Sequence, residues 1–463
     1  MVGIVGWPAH ERGVERLRAS YAALPADAPV RLAKRTSNLF RRRDPAGGGT
    51  SSAGLDVTGL AGVIEVDAGE RTAEVQGMCT YEDVVAATLP HGLVPLVVPQ
   101  LRTITLGGAV TGLGIESTSF RHGLPHESVL EMDVLTGAGE VVTVKPGDDL
   151  FDAFPNSYGS LGYATRLRIE LEPVGPTVAL RHVRFHDVAE LATAVERICA
   201  ERAWESERVD GLDGVVFAPD EAYLTLARWA DEPGETSDWT GATPYFRSLQ
   251  QRGTDLLTTH DYLWRWDTDW FWCSGAFGLH DPRVRRVWPR RWRRSDVYHR
   301  LVGLDARFGI TARLDRRRGV RRERVVQDVE VPVDRLAAFV AWFDEAVGMR
   351  PVWVCPLRLR EPAGPGSART WPVYPLSPGT TYVNVGFWGT VLLGPDESDG
   401  DRNRAVEAEV TRLGGHKSLY SDSYYDEATF ASLYSTAHLD RLRAQLDPAG
   451  RLPSLYDKAV RRR

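Results

Sequence analysis

Apolar and polar residues in the first third of the chain alternate over short runs that are typical of strands. Such runs occur at residues 55–75 and again at 129–144, where a Gly-Ala-Gly sequence predicts a hairpin turn. Residues 80–92 instead carry apolar side chains at helical spacing, and an alternating strand follows at 165–173. This order of short strands around a helix predicts an α+β domain over residues 1–175.

A strand followed by an amphipathic helix occurs twice in the rest of the chain. The first copy spans residues 178–203, and a second copy of the same order spans 329–348. The repeated layout predicts a second α+β unit, residues 176–415, whose sheet carries helices on one face. Two prolines within 173–176 mark the predicted boundary between the two units.

The composition is that of an ordinary globular protein with room for two domains. Of 463 residues, 43% are hydrophobic and 25% are charged, which argues against a disordered chain. The net charge of −6 argues against a nucleic-acid-binding protein. The four cysteines lie far apart without a CxxC spacing, so we expect neither a disulfide framework nor a zinc site. We also expect no signal peptide and no membrane-spanning segment.

A glycine-punctuated tract at residues 98–124 is the most informative stretch for function. No lysine follows its glycines, which excludes a Walker-type phosphate loop. Its GLGIES piece continues into Thr- and Ser-rich sequence instead of opening a helix, unlike a Rossmann fingerprint. Small residues let the backbone approach a flat, extended ligand closely, so the tract predicts a bulky cofactor. The residues predicted to contact it are Thr103, Thr105, Leu106, Gly107, Gly108, Gly112, Gly114, Ser117, Ser119 and Gly123.

Several motifs together resemble one enzyme superfamily. The tract, RTSNLF at 35–40 and FPNSYGSLGYATRLRIEL at 154–171 are similar to the PCMH-type FAD-binding domain of the vanillyl-alcohol-oxidase superfamily. PQLRTITLGG, VWVCP, KSLYSDSYYD and LPSLYDK resemble its sterol Δ24-reductase branch and the bacterial fatty-acyl methylene reductases related to it. The resemblance implies a two-subdomain FAD-binding domain, an α+β substrate domain with an antiparallel sheet, and a segment, 416–463, that returns to the flavin domain.

The resemblance also implies FAD as the cofactor. The RTSNLF loop lacks histidine and cysteine, so we expect the flavin to be noncovalent. Backbone amides and hydroxyls in this loop can hold a pyrophosphate, although a helix cap with a solvated basic patch remains the alternative. No metal site is expected, because His122 and His126 lack a third ligand. The assigned FAD contacts outside the tract are Arg35, Thr36, Ser37, Asn38, Leu39, Ser160 and Gly162.

The activity implied by the resemblance is NADPH-driven reduction of an isolated carbon–carbon double bond in a lipid. The chain has 52 arginines but four lysines, a bias typical of a GC-rich bacterial genome, which favours a methylene-branched fatty-acyl chain of a phospholipid over a sterol. An unconjugated alkene has no carbonyl to accept a hydride, so a positioned acid is needed in a dry site. The candidate acids are Asp422, Tyr420 and Glu116.

Two other functions remain open at this point. One is oxidation of an alcohol or sugar by an FAD-dependent oxidase or dehydrogenase of the same fold. The other is noncatalytic lipid binding. The sequence does not indicate the oligomeric state, the acyl position or the stereochemistry.

Residues 262–294 combine tryptophan and arginine at unusual density. The run YLWRWDTDWFWCS is followed by seven arginines between Arg283 and Arg294. Indoles and guanidinium groups suit an anionic bilayer surface, so we expect a peripheral, cytoplasmic protein at the inner face of the cell membrane. Nucleic-acid binding and an aromatic core with solvated charges are the two alternatives.

Overall fold

The computed structural model describes residues 3–34, 40–41 and 54–461. Its first unit builds an antiparallel sheet in the order β1-β2-β6-β4-β5, and β3 pairs with the far end of β6. The elements are α1 (Trp7–Ala22), β1 (Val63–Asp67), β2 (Thr72–Gln76), α2 (Tyr81–Thr88), β3 (Leu93–Pro95), α3 (Leu106–Gly112), α4 (Ser119–His122), β4 (Val129–Leu135), β5 (Val141–Val144), α5 (Asp149–Ala153) and β6 (Tyr163–Pro173).

The predicted elements of this unit are present. The helix expected at 80–92 is α2, with Thr80 accepting a hydrogen bond from the Asp83 amide as its N-cap. The hairpin turn between β4 and β5 contains Gly139 at a φ of 88°, a left-handed conformation that glycine adopts without strain. The amphipathic first helix, α1, was not predicted.

The second unit is an antiparallel sheet in the order β12-β7-β11-β10-β14-β15-β13-β16. Its elements before the last strand are β7 (Thr177–Phe185), α6 (Val188–Glu201), β8 (Ala203–Trp204), β9 (Glu207–Arg208), β10 (Gly211–Ala218), β11 (Glu221–Ala230), α7 (Ser248–Gln251), β12 (Thr254–Thr258), α8 (Thr259–Leu263), α9 (Pro282–Val287), α10 (Ser295–Phe308), α11 (Ile310–Arg318), β13 (Arg322–Pro332), α12 (Leu336–Ala346), β14 (Val352–Leu357), β15 (Tyr382–Leu392) and α13 (Asp401–Arg412). The α+β class predicted from the sequence is confirmed.

The two faces of this sheet differ, because successive side chains of a strand point to opposite sides. Val325, Val329 and Val331 of β13 pack in one apolar cluster with side chains of α6, α12 and α13. Trp353 of β14 belongs to a different cluster, which includes residues of the first unit. We call this second side, turned away from the helices, the site face.

The end of the chain contacts both units. It contains β16 (His416–Lys417), α14 (Glu427–Leu433), α15 (Thr436–Leu446) and α16 (Leu455–Ala459). The short strand β16 pairs with β13, whereas the Arg451 guanidinium donates to the carbonyls of Ala28 and Pro25 in the first unit. The predicted limits 1–175, 176–415 and 416–463 remain predictions.

The expectation that residues 262–294 face a membrane as one surface is wrong for their aromatic part. Trp264 and Trp266 are 1% exposed, and Trp266 donates from Nε1 to Asp213 at 2.7 Å. Arg285 is fully buried and ion-paired with Asp269. Burying an indole removes roughly 150–250 Å² of surface from water, and internal carboxylates compensate Arg265 and Arg285, so this aromatic part packs as core, whereas Trp292 near the end of the segment is exposed. The alternative of an aromatic core describes it better.

Within the described part of the chain, the helices are too short or too polar to cross a bilayer.

Candidate active site

Two acidic side chains of β13, Asp328 and Glu330, lie on the site face. Residues two apart on a strand share a side, and the valines between and beside them point to the helices. Glu330 is fully buried, whereas Asp328 keeps some accessible surface although protein surrounds it. Asp328 therefore borders an opening, with Glu330 enclosed behind it.

Asp328 is held by an amide and a phenol. Asn384 on β15 donates from Nδ2 to its Oδ1 at 2.9 Å, and the Tyr420 hydroxyl hydrogen-bonds to it. Tyr420 in turn accepts a hydrogen bond from Trp388 Nε1 at 2.8 Å. Enclosure by protein raises the pKa of Asp328 to about 6, and the hydrogen bonds from Asn384 and Tyr420 act in the opposite direction.

Glu330 has neutral hydrogen-bonding neighbours. Ser418 donates to its Oε1 at 2.8 Å, the Tyr374 hydroxyl lies beside it, and its buried Oε2 has no hydrogen-bond partner in the described structure. Burial, with a smaller contribution from the charge of Asp328, raises the pKa of Glu330 to about 8. Because two neighbouring carboxylates resist a double charge, the pair keeps one proton at neutral pH.

Aromatic rings cover the site face next to Asp328. The Phe271 ring lies 4.2 Å from that of Trp388 and 5.3 Å from that of Trp353, centroid to centroid. Trp272 lies 5.4 Å from Trp388. The aromatic segment that was expected at a membrane thus supplies an apolar lining beside the acid pair, which weakens solvation of any charge there.

Basic side chains gather around Tyr158, whose pKa is raised by burial and by the nearby charges of Glu330 and Asp328. Arg41 stacks 4.4 Å over the Tyr158 ring, and Lys458 donates to the Tyr158 carbonyl at 2.7 Å. Lys34 donates to Thr105 Oγ1 at 3.3 Å, at the start of α3. Burial lowers the pKa of Lys458 to about 7, with the Arg41 charge acting in the same direction. We call the opening lined by these residues, Asp328, Tyr420 and Trp388 the cleft.

The cleft fits an anionic, flat cofactor. Among the described residues, Lys34, Arg41 and Lys458 take part in no ion pair, and Arg41 Nη2 is buried without a hydrogen-bond partner. Arg41 and Lys458 are partly buried and Lys34 is exposed, and the Asp422 charge acts on Arg41; a partly buried cation is still stabilised by an anionic ligand. A dinucleotide pyrophosphate, or the electron-rich ring of a reduced flavin, is such an anion. These three residues could therefore hold FAD.

The predicted tract residues divide into two groups. Thr105 caps α3, an added Cβ on Gly108 would lie 3.5 Å from Lys34 Nζ, and one on Gly112 would lie 3.3 Å from the Tyr158 ring. These positions adjoin the cleft, and Thr103 lies beside them in the sequence. Ser160 Oγ is buried without a hydrogen-bond partner in the described structure, so it can bind a ligand.

The other group packs against protein, and contact of its members with the cofactor remains a prediction. Leu106 is buried in the core, and an added Cβ on Gly107 would lie 2.7 Å from the Gly77 carbonyl oxygen. Close packing within the first unit therefore accounts for the small or apolar side chains at these two positions. The others are Gly114 against Pro99, Gly123 against Glu127, Gly162 against Leu135, Ser117 bonded to Tyr262, and Ser119 bonded to the Glu116 amide. Residues Arg35, Thr36, Ser37, Asn38 and Leu39 lie outside the described residues.

The three predicted acids have different surroundings. Asp422 forms an ion pair with Arg324 at 3.0 Å. Glu116 accepts from Arg265 at 2.7 Å in a buried cluster that also contains Asp213. Tyr420 alone touches the acid pair. The assignment of the donor among these three remains a prediction.

The sequence analysis missed Asp328 and Glu330. The run VQDVEV has the alternation of a strand with one polar face, and such a face is usually solvated. The alternation shows that Asp328 and Glu330 lie on the same face of a strand, but it does not show that the first unit covers that face of the sheet. Among the missed basic residues, Lys34 and Arg41 flank RTSNLF and Lys458 ends LPSLYDK, but none of them belongs to a ligand pattern.

Comparison with known proteins agrees with this geometry. Residues 17–145 match the family "FAD binding domain". The Delta(24)-sterol reductase of Homo sapiens is 26% identical over 418 residues, covering 86% of this chain and 76% of that protein. The Arabidopsis thaliana Delta(24)-sterol reductase is 24% identical over 88% of this chain and 77% of its own.

A second group of relatives is similar over a shorter stretch. Cytokinin dehydrogenase 7 of Oryza sativa subsp. japonica is 35% identical over 247 residues, which is 52% of this chain and 44% of that protein. Both groups share the flavin-binding superfamily whose motifs the sequence resembles. The chain carries a PCMH-type FAD-binding domain and is an FAD-dependent oxidoreductase similar to the Delta(24)-sterol reductases and the cytokinin dehydrogenases.

Proposed function

We propose that this protein reduces an isolated carbon–carbon double bond in a lipid. NADPH supplies the electrons, and a methylene-branched fatty-acyl chain of a phospholipid is the substrate, which becomes a methyl-branched chain. Similarity to the Delta(24)-sterol reductases over most of the chain supports reduction of a lipid alkene. The arginine-rich composition supports the fatty-acyl substrate.

The observation that carries the proposal is the pair Asp328 and Glu330 at the edge of the cleft. FAD held by Lys34, Arg41 and Lys458 and reduced by NADPH would supply a hydride to one alkene carbon. The other carbon needs a proton, and a carboxyl that stays protonated at neutral pH can give it. At neutral pH Glu330 holds the pair's shared proton; this proton reaches the alkene through Asp328, which borders the opening, and water restores it to the pair afterwards. Trp388 and Phe271 keep the site apolar.

Oxidation of an alcohol or sugar is the second candidate, and the cytokinin dehydrogenase relatives support keeping it. That reaction needs a base that accepts a proton from the substrate at neutral pH. Glu330, whose pKa burial raises to about 8, keeps its proton at neutral pH, so the acid pair suits reduction better.

The test separates the two half-reactions under anaerobic conditions. NADPH should bleach the flavin absorbance, and a methylene-branched phospholipid should restore it, whereas its saturated counterpart should not. Asp328→Asn and Glu330→Gln should each slow the alkene step about 100-fold or more while leaving bleaching intact.

Glu323→Gln is the matched control, because Glu323 is a buried carboxyl of the same strand that bonds Asn403 on the helix side. It should leave both steps near the parent rates. Equal loss of both steps in the Asp328 and Glu330 variants would contradict the proton-donor role. Rapid reoxidation by O₂ with no response to the alkene would favour the oxidase.

A further inference from the structure

Exposed apolar side chains concentrate in one part of the described structure. Of twelve large apolar residues that are exposed there, seven fall within 284–314, a stretch of about thirty residues. They are Val284, Val287, Trp292, Val302, Leu304, Phe308 and Leu314. Scattered exposed apolar residues are normal, but a concentration of this kind marks an interaction surface.

The helix α10 shows how the surface arises. Val297, Leu301, Leu304 and Phe308 follow helical spacing and form one stripe. The first two are partly buried against the protein, whereas Leu304 is 50% and Phe308 is 53% exposed. The apolar stripe thus extends past the body of the protein, and α11 adds Leu314, which is 46% exposed.

The same segment is strongly basic in an acidic protein. Residues 281–320 contain thirteen arginines and four acidic residues, a net charge of +9, while the whole chain carries −6. Some of these arginines are internal, such as Arg285 with Asp269, and Arg294 pairs with Glu82. Others are exposed on α9 and α11 and in the turn between α9 and α10, among them Arg286, Arg290, Arg291, Arg313, Arg317 and Arg318.

We propose that α9, α10 and α11 form a docking surface for an anionic lipid bilayer, with Leu304, Phe308 and Leu314 entering the interface and the exposed arginines pairing with phosphates. Helices that mix exposed apolar and basic side chains bind at this depth. A second copy of the chain would present the same positive charge, which opposes self-association here. The purpose of the docking rests on the proposed function, because an acyl chain must be taken from a membrane.

The experiment measures cosedimentation of the FAD-loaded protein with vesicles. Vesicles of phosphatidylcholine and phosphatidylglycerol in equal parts should bind it at low salt, and phosphatidylcholine vesicles should bind it weakly. Replacing Arg313, Arg317 and Arg318 by Gln should weaken binding about 100-fold, since each charge near the surface contributes roughly fivefold. Leu304→Gln, Phe308→Gln and Leu314→Gln together should also weaken it at least tenfold.

Two matched controls exclude a general effect of the substitutions. Ile4, Leu130 and Leu392 are exposed apolar residues elsewhere, and their triple Gln variant should bind as the parent does. Arg12→Gln with Arg18→Gln on α1 should leave more than a tenth of the binding. All these positions are exposed, so the variants should fold.

Undiminished sedimentation of both test variants would overturn the proposal, as would equal binding to neutral and anionic vesicles. Binding of neither vesicle would also overturn it and would favour an acidic protein as the occupant. Failure of the proposed function would look different, because the protein would still sediment with anionic vesicles while the alkene failed to restore the flavin absorbance.

Discussion

At the scale of single residues, the neighbour of each buried carboxyl decides whether it can give a proton. Glu330 faces hydroxyl groups and keeps its proton to about pH 8. Asp422 forms an ion pair with Arg324. Burial raises the pKa of Glu116, while its ion pair with Arg265 acts in the opposite direction. Residue type and motif position do not distinguish these cases.

The acid pair predicts a pH dependence for alkene reduction. The rate should fall as the pH rises through about 8, because the pair then loses the proton that Glu330 retains. In the Glu330→Gln variant, the pH at which the rate falls should move down toward 6, the pKa of Asp328. The measurement is the rate at which the alkene restores flavin absorbance, with NADPH bleaching as the internal control. A limb unchanged in the variant would contradict the role of Glu330.

The same residue predicts a pH dependence of stability. The folded protein binds the Glu330 proton more tightly than the unfolded chain does, since the pKa rises from 4.5 to about 8. Its contribution to the unfolding free energy is therefore fully present below about pH 4.5 and is lost as the pH rises through about 8. Glu330→Gln removes this loss. The melting temperature of the variant, relative to that of the parent, should therefore be higher at pH 9 than at pH 5. The change in unfolding free energy is at most a few kcal/mol. An equal difference in melting temperature between variant and parent at pH 5 and pH 9 would contradict this prediction.

At the scale of elements, the start of α3 combines packing with ligand contact. Gly107 lies against the backbone of Gly77, where nothing can move aside, whereas Gly108 lies against Thr105 and the flexible end of Lys34. Two adjacent glycines therefore have separate reasons to lack a side chain. The glycine-punctuated tract marks a place where the backbone is closely approached, in part by other protein atoms and in part by a ligand.

Substitution of these glycines should separate the two roles. Gly107→Ala should lower the unfolding free energy by about 1–3 kcal/mol through overpacking, with a matching drop in melting temperature. Gly108→Val should displace Lys34 and lower FAD occupancy at least severalfold while changing the melting of the FAD-free protein less. Occupancy and melting are read from flavin absorbance and circular dichroism. The reverse order of effects would show that Gly107, not Gly108, faces FAD.

At the scale of the whole molecule, three parts of the chain meet around Tyr158. Gly112 of the first unit lies against its ring, Lys458 near the chain end donates to its carbonyl, and its pKa is raised by burial with the charges of Glu330 and Asp328 contributing. A cofactor in the cleft thus contacts the first unit, the sheet of the second and the chain end. Its binding should stabilise them together.

Removal of FAD should accordingly lower the melting temperature of the entire protein. Free FAD at about 100 times its Kd should restore about 2.7 kcal/mol. Because the flavin is expected to be noncovalent, acid precipitation should leave yellow FAD in the supernatant. Lys458→Met should reduce the FAD-dependent gain, while Lys145→Met, an exposed surface lysine, should not. Colour retained in the precipitate would mean a covalent link.

The sequence by itself determined the local order and the cofactor class. Periodicity predicted α2, β6, β7, α6 and the hairpin of β4 and β5, because amphipathic spacing follows from which side of an element is buried. Short motifs were sufficient for FAD, since a large cofactor needs many contacts that occur close together in the chain.

Only the tertiary structure decided which polar and aromatic groups lie inside. Asp328 and Glu330 became buried acids because the first unit and the aromatic segment cover one face of the second sheet. Trp264 and Arg285 turned inward because Asp213 and Asp269, close by in the fold, balance the charges of that segment. Burial and charge pairing depend on contacts between distant parts of the chain, and a periodic sequence pattern does not indicate those contacts.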